Sequence, residues 1–254
     1  MGCLDSFSVK NVIGADYVQD TKIYQSFEAG VASQRLSVQH PAPGTDFAFG
    51  SGKFTVLSPQ SISSNDNDNS VAIRLENGSN HFLFTGDAES AGEEAICNLG
   101  IDLSCDVIVP GHHGSATATT WNLLQQTVPE YAVISCGAGN SYGHPHKDTM
   151  DKLSDMGIQV FRTDEQGTII AVSDGNSIEW NQNPVMITHR EMNPIPVHSP
   201  LPFMMIPEVL PTDPSTHPIT IPRLLLRQKL KMWAIWSGSP LQEANITEFQ
   251  IVAI

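Results

Sequence analysis

The chain of 254 residues is short of positive charge: 13 lysines and arginines stand against 27 aspartates and glutamates, a formal net charge of −14. That balance disfavours non-specific attachment to nucleic acid or to an anionic membrane surface, and no stable basic nucleic-acid-binding patch is expected. It does not exclude a phosphate ester at a site where a bound cation outweighs the local field. Cysteine is scarce. The four residues Cys3, Cys97, Cys105 and Cys136 form no C-x-x-C pair, so a disulfide framework is excluded. Buried free thiols are expected instead, with Cys105 and Cys136 in apolar runs that read as strands. No apolar run approaches the ~18 residues of a membrane span. The opening residues lack a basic stretch followed by an apolar one, so no secretory leader is expected. A Walker loop and a dinucleotide fingerprint are both missing, and Ser115 lacks the Gly-x-Ser-x-Gly elbow of a serine hydrolase.

What is present suffices for a core. Hydrophobic residues make up 40% and charged ones 16%, which argues against wholesale disorder. From about Phe47 to Trp180 the chain is regularly punctuated. FAFGSGKFTVLSP reads as a short hairpin, and SVAIRLENGSNHFLFTGD as two strands joined across Asn77-Gly78. AESAGEEAICNLG turns helical and closes at Gly100, CDVIVPG is a compact strand, and residues 119–128 read as a helix. EYAVISCG is a buried strand, HKDTMDKLSDMG a helix ending at Gly157, and QVFRT, TIIAVSDG and SIEW are strands. Residues 17–35 read as a loop leading into a helix. This order predicts a mixed α/β layered domain over 1–185.

Residues 186–254 differ. They hold 10 of the 17 prolines and one of the 19 glycines, and the −14 charge lies wholly before them. They read as a Pro-rich linker and a weakly structured tail. Within them RLLLRQKLKMWAIW, residues 223–236, has the pattern of a short basic amphipathic helix, for which membrane or partner contact is the lesser reading.

Three strand ends carry the chemistry. In FLFTGDAE, Asp87 is either a helix N-cap or a metal-binding carboxylate. In VIVPGHHGSA, His112 and His113 sit between glycines at the mouth of a buried strand, where imidazole suits Zn and similar metals. In CGAGNSYGHPH, His144 and His146 flank a proline that stiffens their loop. In a layered sheet these ends converge, and a carboxylate with imidazoles is the inventory of a hydrolytic metal site. SSNDNDNS, residues 63–70, lacks the Gly and closing Glu of a Ca²⁺ loop and reads as a solvated loop. His40, His81, His189, His198 and His217 read as bystanders.

FLFTGDAE, DVIVPGHHGS, YAVISCGAGNSYGHPH and VFRTDEQGTIIAVSDG, in that order, resemble the second half of the metallo-β-lactamase fold in its ComEC-type, competence-related subgroup. The resemblance covers roughly residues 1–180. It implies an αββα sandwich with a metal site at one edge. Asp87 would be a ligand bridging two ions and His112 another; His113, Ser115 and Asn140 would shape the loops and meet substrate. His144 and His146 would lie at the rim as catalytic residues, binding substrate or aiding proton transfer. The implied reaction is hydrolysis of phosphodiesters, in nucleic acid or a nucleotide, by water activated on Zn or Mn. ComEC-type domains work outside the cytoplasmic membrane, but the location of this chain stays open. The family's His-x-His-x-Asp-His run is missing. That run is followed in the family by Gly-Gly-Leu-Asp, and here the chain opens Met1-Gly2-Cys3-Leu4-Asp5. The sequence therefore reads as an N-terminally truncated form of the domain, lacking its first strands and holding one ion or none instead of two. The alternative is a non-catalytic remnant or a binding or scaffold module.

Overall fold

The computed structural model of the chain describes Leu4, residues 9–187 and the backbone of the strand Phe249–Ala253. The linker read over 193–222 and the basic segment 223–236 lie outside the described residues. Two short strands, β1 (Val12–Ile13) and β2 (Val38–Gln39), pair in parallel around helix α1 (Lys22–Ser33). The main sheet has seven strands: β3 (Asp46–Phe49), β4 (Gly52–Val56), β5 (Ile73–Asn77), β6 (Asn80–Phe84), β7 (Val107–Val109), β8 (Tyr131–Ile134) and β9 (Gln159–Arg162), neighbours in chain order. The first four are antiparallel hairpins, as their turn residues foretell. From β6 to β9 the pairing is parallel. The crossovers there carry α2 (Ser90–Cys97), α3 (Trp121–Thr127) and α4 (Lys147–Asp155). Beyond the one-turn helix α5 (Thr163–Gln166), β10 (Ile169–Ser173) pairs with β11 (Ile178–Trp180) and with β12 (Phe249–Ala253) in a separate three-stranded sheet. The segment read as a weakly structured tail thus contributes one strand. The chain is a mixed α/β structure, as expected.

The period-2 pattern sorts the core into two layers. Leu83, Ile108, Ala132, Ile134 and Val160 pack with Ile96, Leu123, Leu124 and Leu153 of the helices. The alternate residues Leu75, Phe82, Val107, Val133 and Phe161 pack with Ile169 and Ala171 of the second sheet. The turn at Gly78 also pins the two sheets together. Gly78 has φ +58°, and a Cβ there would stand 2.3 Å from the Gly175 carbonyl oxygen, so only glycine fits. The Ser79 N–H donates to that carbonyl at 2.7 Å, and Asn77 Nδ2 donates to Ser173 Oγ at 3.0 Å.

The reading of 63–70 as a solvated loop needs correction. Residues Asp66–Asn69 form a 3-10 turn, and Asp68 and Asn69 are buried. Asp68 Oδ1 accepts the N–H groups of Glu89 and Gly92 at 3.0 and 3.1 Å. It therefore caps α2 from 21 residues upstream, where Glu89 as the N-cap residue makes no side-chain cap bond. Asp68→Ala is expected to cost about 0.5–2 kcal/mol, the range for a lost N-cap, read from the equilibrium urea midpoint. A change within about 0.3 kcal/mol would contradict the capping role. The thiols follow expectation in part: Cys97 and Cys105 are free and buried, while Cys136 is half-buried. Cys105 and Cys136 flank β7 and β8 and lie outside them.

Candidate functional site

Strands β6, β7 and β8 are parallel neighbours, so their C-terminal ends open at one edge of the sheet, the usual place for sites in α/β layers. Each opens into a Gly-rich loop. After β7 the chain turns through Gly111–Gly114 with His112 and His113 both left-handed, at φ +49° and +58°. For non-glycine residues this conformation costs about 1–2 kcal/mol each, and backbone bonds hold it. The His112 N–H donates to the Gly86 carbonyl at 3.0 Å, and the Ser115 N–H to the His112 carbonyl at 3.0 Å. Gly114, φ +80°, lets Pro145 approach to where a Cβ would meet it at 2.8 Å. The loops after β7 and β8 are thereby pressed together.

Asp87 is not the N-cap of α2; that position is Glu89. The Asp87 carboxylate stands instead in the site, with Oδ1 3.4 Å from His113 Nε2. The resemblance implied His112 as the fellow ligand of Asp87, but the residue facing Asp87 is His113. Its Nδ1–H donates to the Ser135 carbonyl at 2.8 Å, which leaves the Nε2 lone pair turned toward the carboxylate. Two acceptors facing each other at that distance need a proton or a cation between them. His112 turns toward Glu89, with Nδ1 3.1 Å from Oε1, yet this buried nitrogen forms no hydrogen bond. Glu89 is the residue that sequence reasoning missed. Burial pushes its carboxyl up, but hydrogen bonds from Asn67, Asn65 and Thr117, with the charge of His112, outweigh burial and hold it below the ordinary range. Asn65 and Asn67 both donate to it at 3.1 Å, so the Asn/Asp run supports the site.

The third loop brings His144 into the cluster and withdraws His146. The His144 ring lies 5.6 Å from His112 and 6.4 Å from His113, centroid to centroid. Burial lowers its pKa, and the neighbouring imidazoles of His146, His112 and His113 lower it further against a partial pull from Asp87. His146 Nδ1 accepts the Ala116 N–H at 2.9 Å, and Nε2 donates to the Tyr142 carbonyl at 3.1 Å. Both ring nitrogens thus bond to backbone, and His146 cross-links the two loops. Asn140 likewise works within the loop, donating to the Gly137 and His144 carbonyls and accepting the His144 N–H at 3.0 Å. Ser115 is buried, with Oγ bonded to Thr117 Oγ1 at 3.0 Å. It shapes the loop.

Among the described residues, no group of three or more His, Cys, Asp or Glu side chains is arranged to hold a metal ion. The described residues therefore do not form the two-ion Zn or Mn centre that the resemblance implies.

Comparison with known proteins places this edge in context. No protein-family model matches the chain. It is similar to bacterial competence proteins. It is 38% identical over 118 residues to ComE operon protein 3 of Bacillus subtilis, covering 46% of this chain and 15% of that protein. It is 38% identical over 105 residues to competence protein ComA of Neisseria gonorrhoeae, covering 41% of this chain and 15% of that protein. Over 112 residues it is 38% identical to Recombination protein 2 of Haemophilus influenzae, covering 43% of this chain and 14% of that protein. The chain spans about 15% of the length of the curated relatives it matches. A solved structure, CmlA beta-hydroxylase E377D mutant, aligns at a TM-score of 0.40 and 10% identity over 60% of this chain and 38% of that one, and at that level carries no argument. Among the described residues no helix is long and apolar enough to cross a membrane.

Proposed function

We propose that this chain carries part of a hydrolytic site for phosphodiester bonds, of the metallo-β-lactamase kind that its motifs resemble. The observation that carries the reading is the convergence of Asp87, His112, His113 and His144 from three successive strand ends. The similarity to competence proteins agrees with the competence-related subgroup that the motifs resemble. Because the ligand set is incomplete, no step is assigned to a metal ion. The chain's own atoms set Asp87 Oδ1 against His113 Nε2 and present the His144 imidazole to whatever enters the edge. Phosphoester substrates are the proposed partners.

The test is to purify the full chain without chelator, measure Zn and Mn per chain, and assay hydrolysis of bis(p-nitrophenyl) phosphate. The Asp87→Ala/His113→Ala variant is run alongside. A fall of about a hundredfold in the variant is expected, the scale on which a positioned acid–base group acts. Equal hydrolysis by both proteins, or none by either, overturns the reading. The incomplete ligand set favours a second reading in that event: a non-catalytic binding or scaffold module.

A further inference from the structure

The seven-stranded sheet ends at β3, whose outer edge pairs with no strand among the described residues. The turn Gly50-Ser51 closes on the pair Phe49–Gly52, and Phe47 pairs with Phe54. Hydrogen-bonded and non-hydrogen-bonded pairs alternate along antiparallel strands, so Phe47 and Phe49 direct their backbone groups to β4, while Asp46 and Ala48 turn theirs outward. The Thr45 carbonyl, which accepts the Val56 N–H at 3.0 Å, fits the same alternation. Natural sheet edges are commonly blunted by lysine or proline, and β3 reads Asp-Phe-Ala-Phe, with neither. Its two faces differ. Phe47 is half-buried and stacks on Phe54 at 5.1 Å and 15°. On the other face Asp46 is paired with Thr55 and Ala48 with Lys53, whose Nζ stands 3.1 Å from Asp46.

We propose that β3 pairs with β3 of a second copy of this chain, antiparallel about a two-fold axis at Phe47. Such an interface is self-complementary, and charge selects its register. Centred on Phe47, the pairing sets Asp46 opposite the partner's Ala48, with the partner's Lys53 next in the row. Each carboxylate then faces an ammonium across a methyl group, twice by symmetry. A register centred on Asp46 would oppose two carboxylates, which is destabilising. In the favoured register Asp46 and the partner's Ala48 exchange both backbone hydrogen bonds. Phe47 falls opposite the partner's Phe47 in a non-hydrogen-bonded pair, the closer kind, with Cα atoms about 4.5 Å apart. The Phe54–Phe47 stack thereby continues into the second copy. Because β3 stands three strands from β6, the loops bearing Asp87 and the histidines take no part in this pairing.

The experiment is sedimentation equilibrium of the full chain over a wide range of concentration. The wild type should pass from the mass of one chain toward twice that mass. Ala48→Pro should stay at one chain mass with an unchanged urea midpoint, since proline is tolerated where an edge N–H faces outward. Cysteine substitution reads the register. Under mild oxidation Phe47→Cys should cross-link to itself at least about tenfold faster than Ala48→Cys, whose Cα atoms would lie about 9 Å apart, beyond the ~7 Å reach of a disulfide. The wild type under the same oxidation gives the baseline for the native thiols. A wild type that stays monomeric, a dimer that survives Ala48→Pro, or equal cross-linking of the two cysteine variants overturns the proposal. A monomeric wild type that Ala48→Pro destabilises also overturns it, and would place a segment of the same chain on this edge.

Discussion

Phe161→Ala is expected to lose about 3–5 kcal/mol of folding stability, the range for emptying a buried aromatic site. Phe161 is fully buried on β9. It packs with Val133 of the main sheet and with Ile169 and Ala171 of the second sheet. Its ring stacks on Trp180 at 4.1 Å and 19°, and Tyr131 lies 6.2 Å away. The alanine variant loses the transfer energy of the ring, the aromatic contact and the packing between the two sheets at once. Equilibrium urea unfolding of wild type, Phe161→Ala and Phe161→Leu should rank them in the order wild type, leucine, alanine. A loss below about 1 kcal/mol for alanine would mean that the two sheets do not share this core.

A comparable loss is expected at Glu93, for a different reason. Glu93 is fully buried on α2, and its two oxygens accept the N–H groups of Thr119 and Thr120 at 2.6 and 2.7 Å. Thr119 is β-branched and left-handed, φ +54°, a conformation that must be imposed. The carboxylate imposes it and so sets the entry to α3. Glu93→Ala orphans both donors, each at a cost of about 1–3 kcal/mol, for a total of about 2–6 kcal/mol by urea unfolding. The effect also depends on pH. Burial raises the Glu93 carboxyl above its ordinary 4.5, against the opposing hydrogen bonds of Thr120 and Thr119 and the charge of Lys152. A raised acid holds its proton more firmly folded than unfolded. Its contribution is therefore full below pH 4.5 and is lost as pH rises through the raised folded value. Glu93→Gln cannot titrate. The stability of wild type relative to Glu93→Gln should decline as pH climbs from about 4.5, and a difference constant from pH 4 to 7 would contradict the shift.

The two residues show where sequence reading stops. Phe161 was legible as a strand residue because VFR alternates in a β-favouring run. That it stacks on Trp180 was not legible, since the ring belongs to another sheet. Glu93 read as one more helical carboxylate. Its burial follows from how α2 meets the Thr119–Thr120 turn, 26 residues on.

The candidate site divides in the same way. Asn77-Gly78 announced its hairpin, Gly100 and Gly157 ended their helices, and three strands ran visibly into Gly-rich loops bearing Asp87, His112, His113 and His144. Those are local patterns, and local backbone preference enforces them. The order of strands, with parallel neighbours from β6 onward, then brings these ends to one edge. Which of two adjacent histidines faces Asp87 was decided by two consecutive left-handed residues, where the alternation of a strand no longer applies. The cap given by Asp68, the support of Glu89 by Asn65 and Asn67, and the spending of both His146 nitrogens on backbone all join residues 4 to 30 positions apart. Most of those pairs are set by sheet register and helix packing. The sequence by itself determined which residue types reach the edge of the sheet. Only the tertiary structure decided their partners, because hydrogen bonds and ring contacts act within a few ångströms and chain spacing does not encode such distances across separate elements.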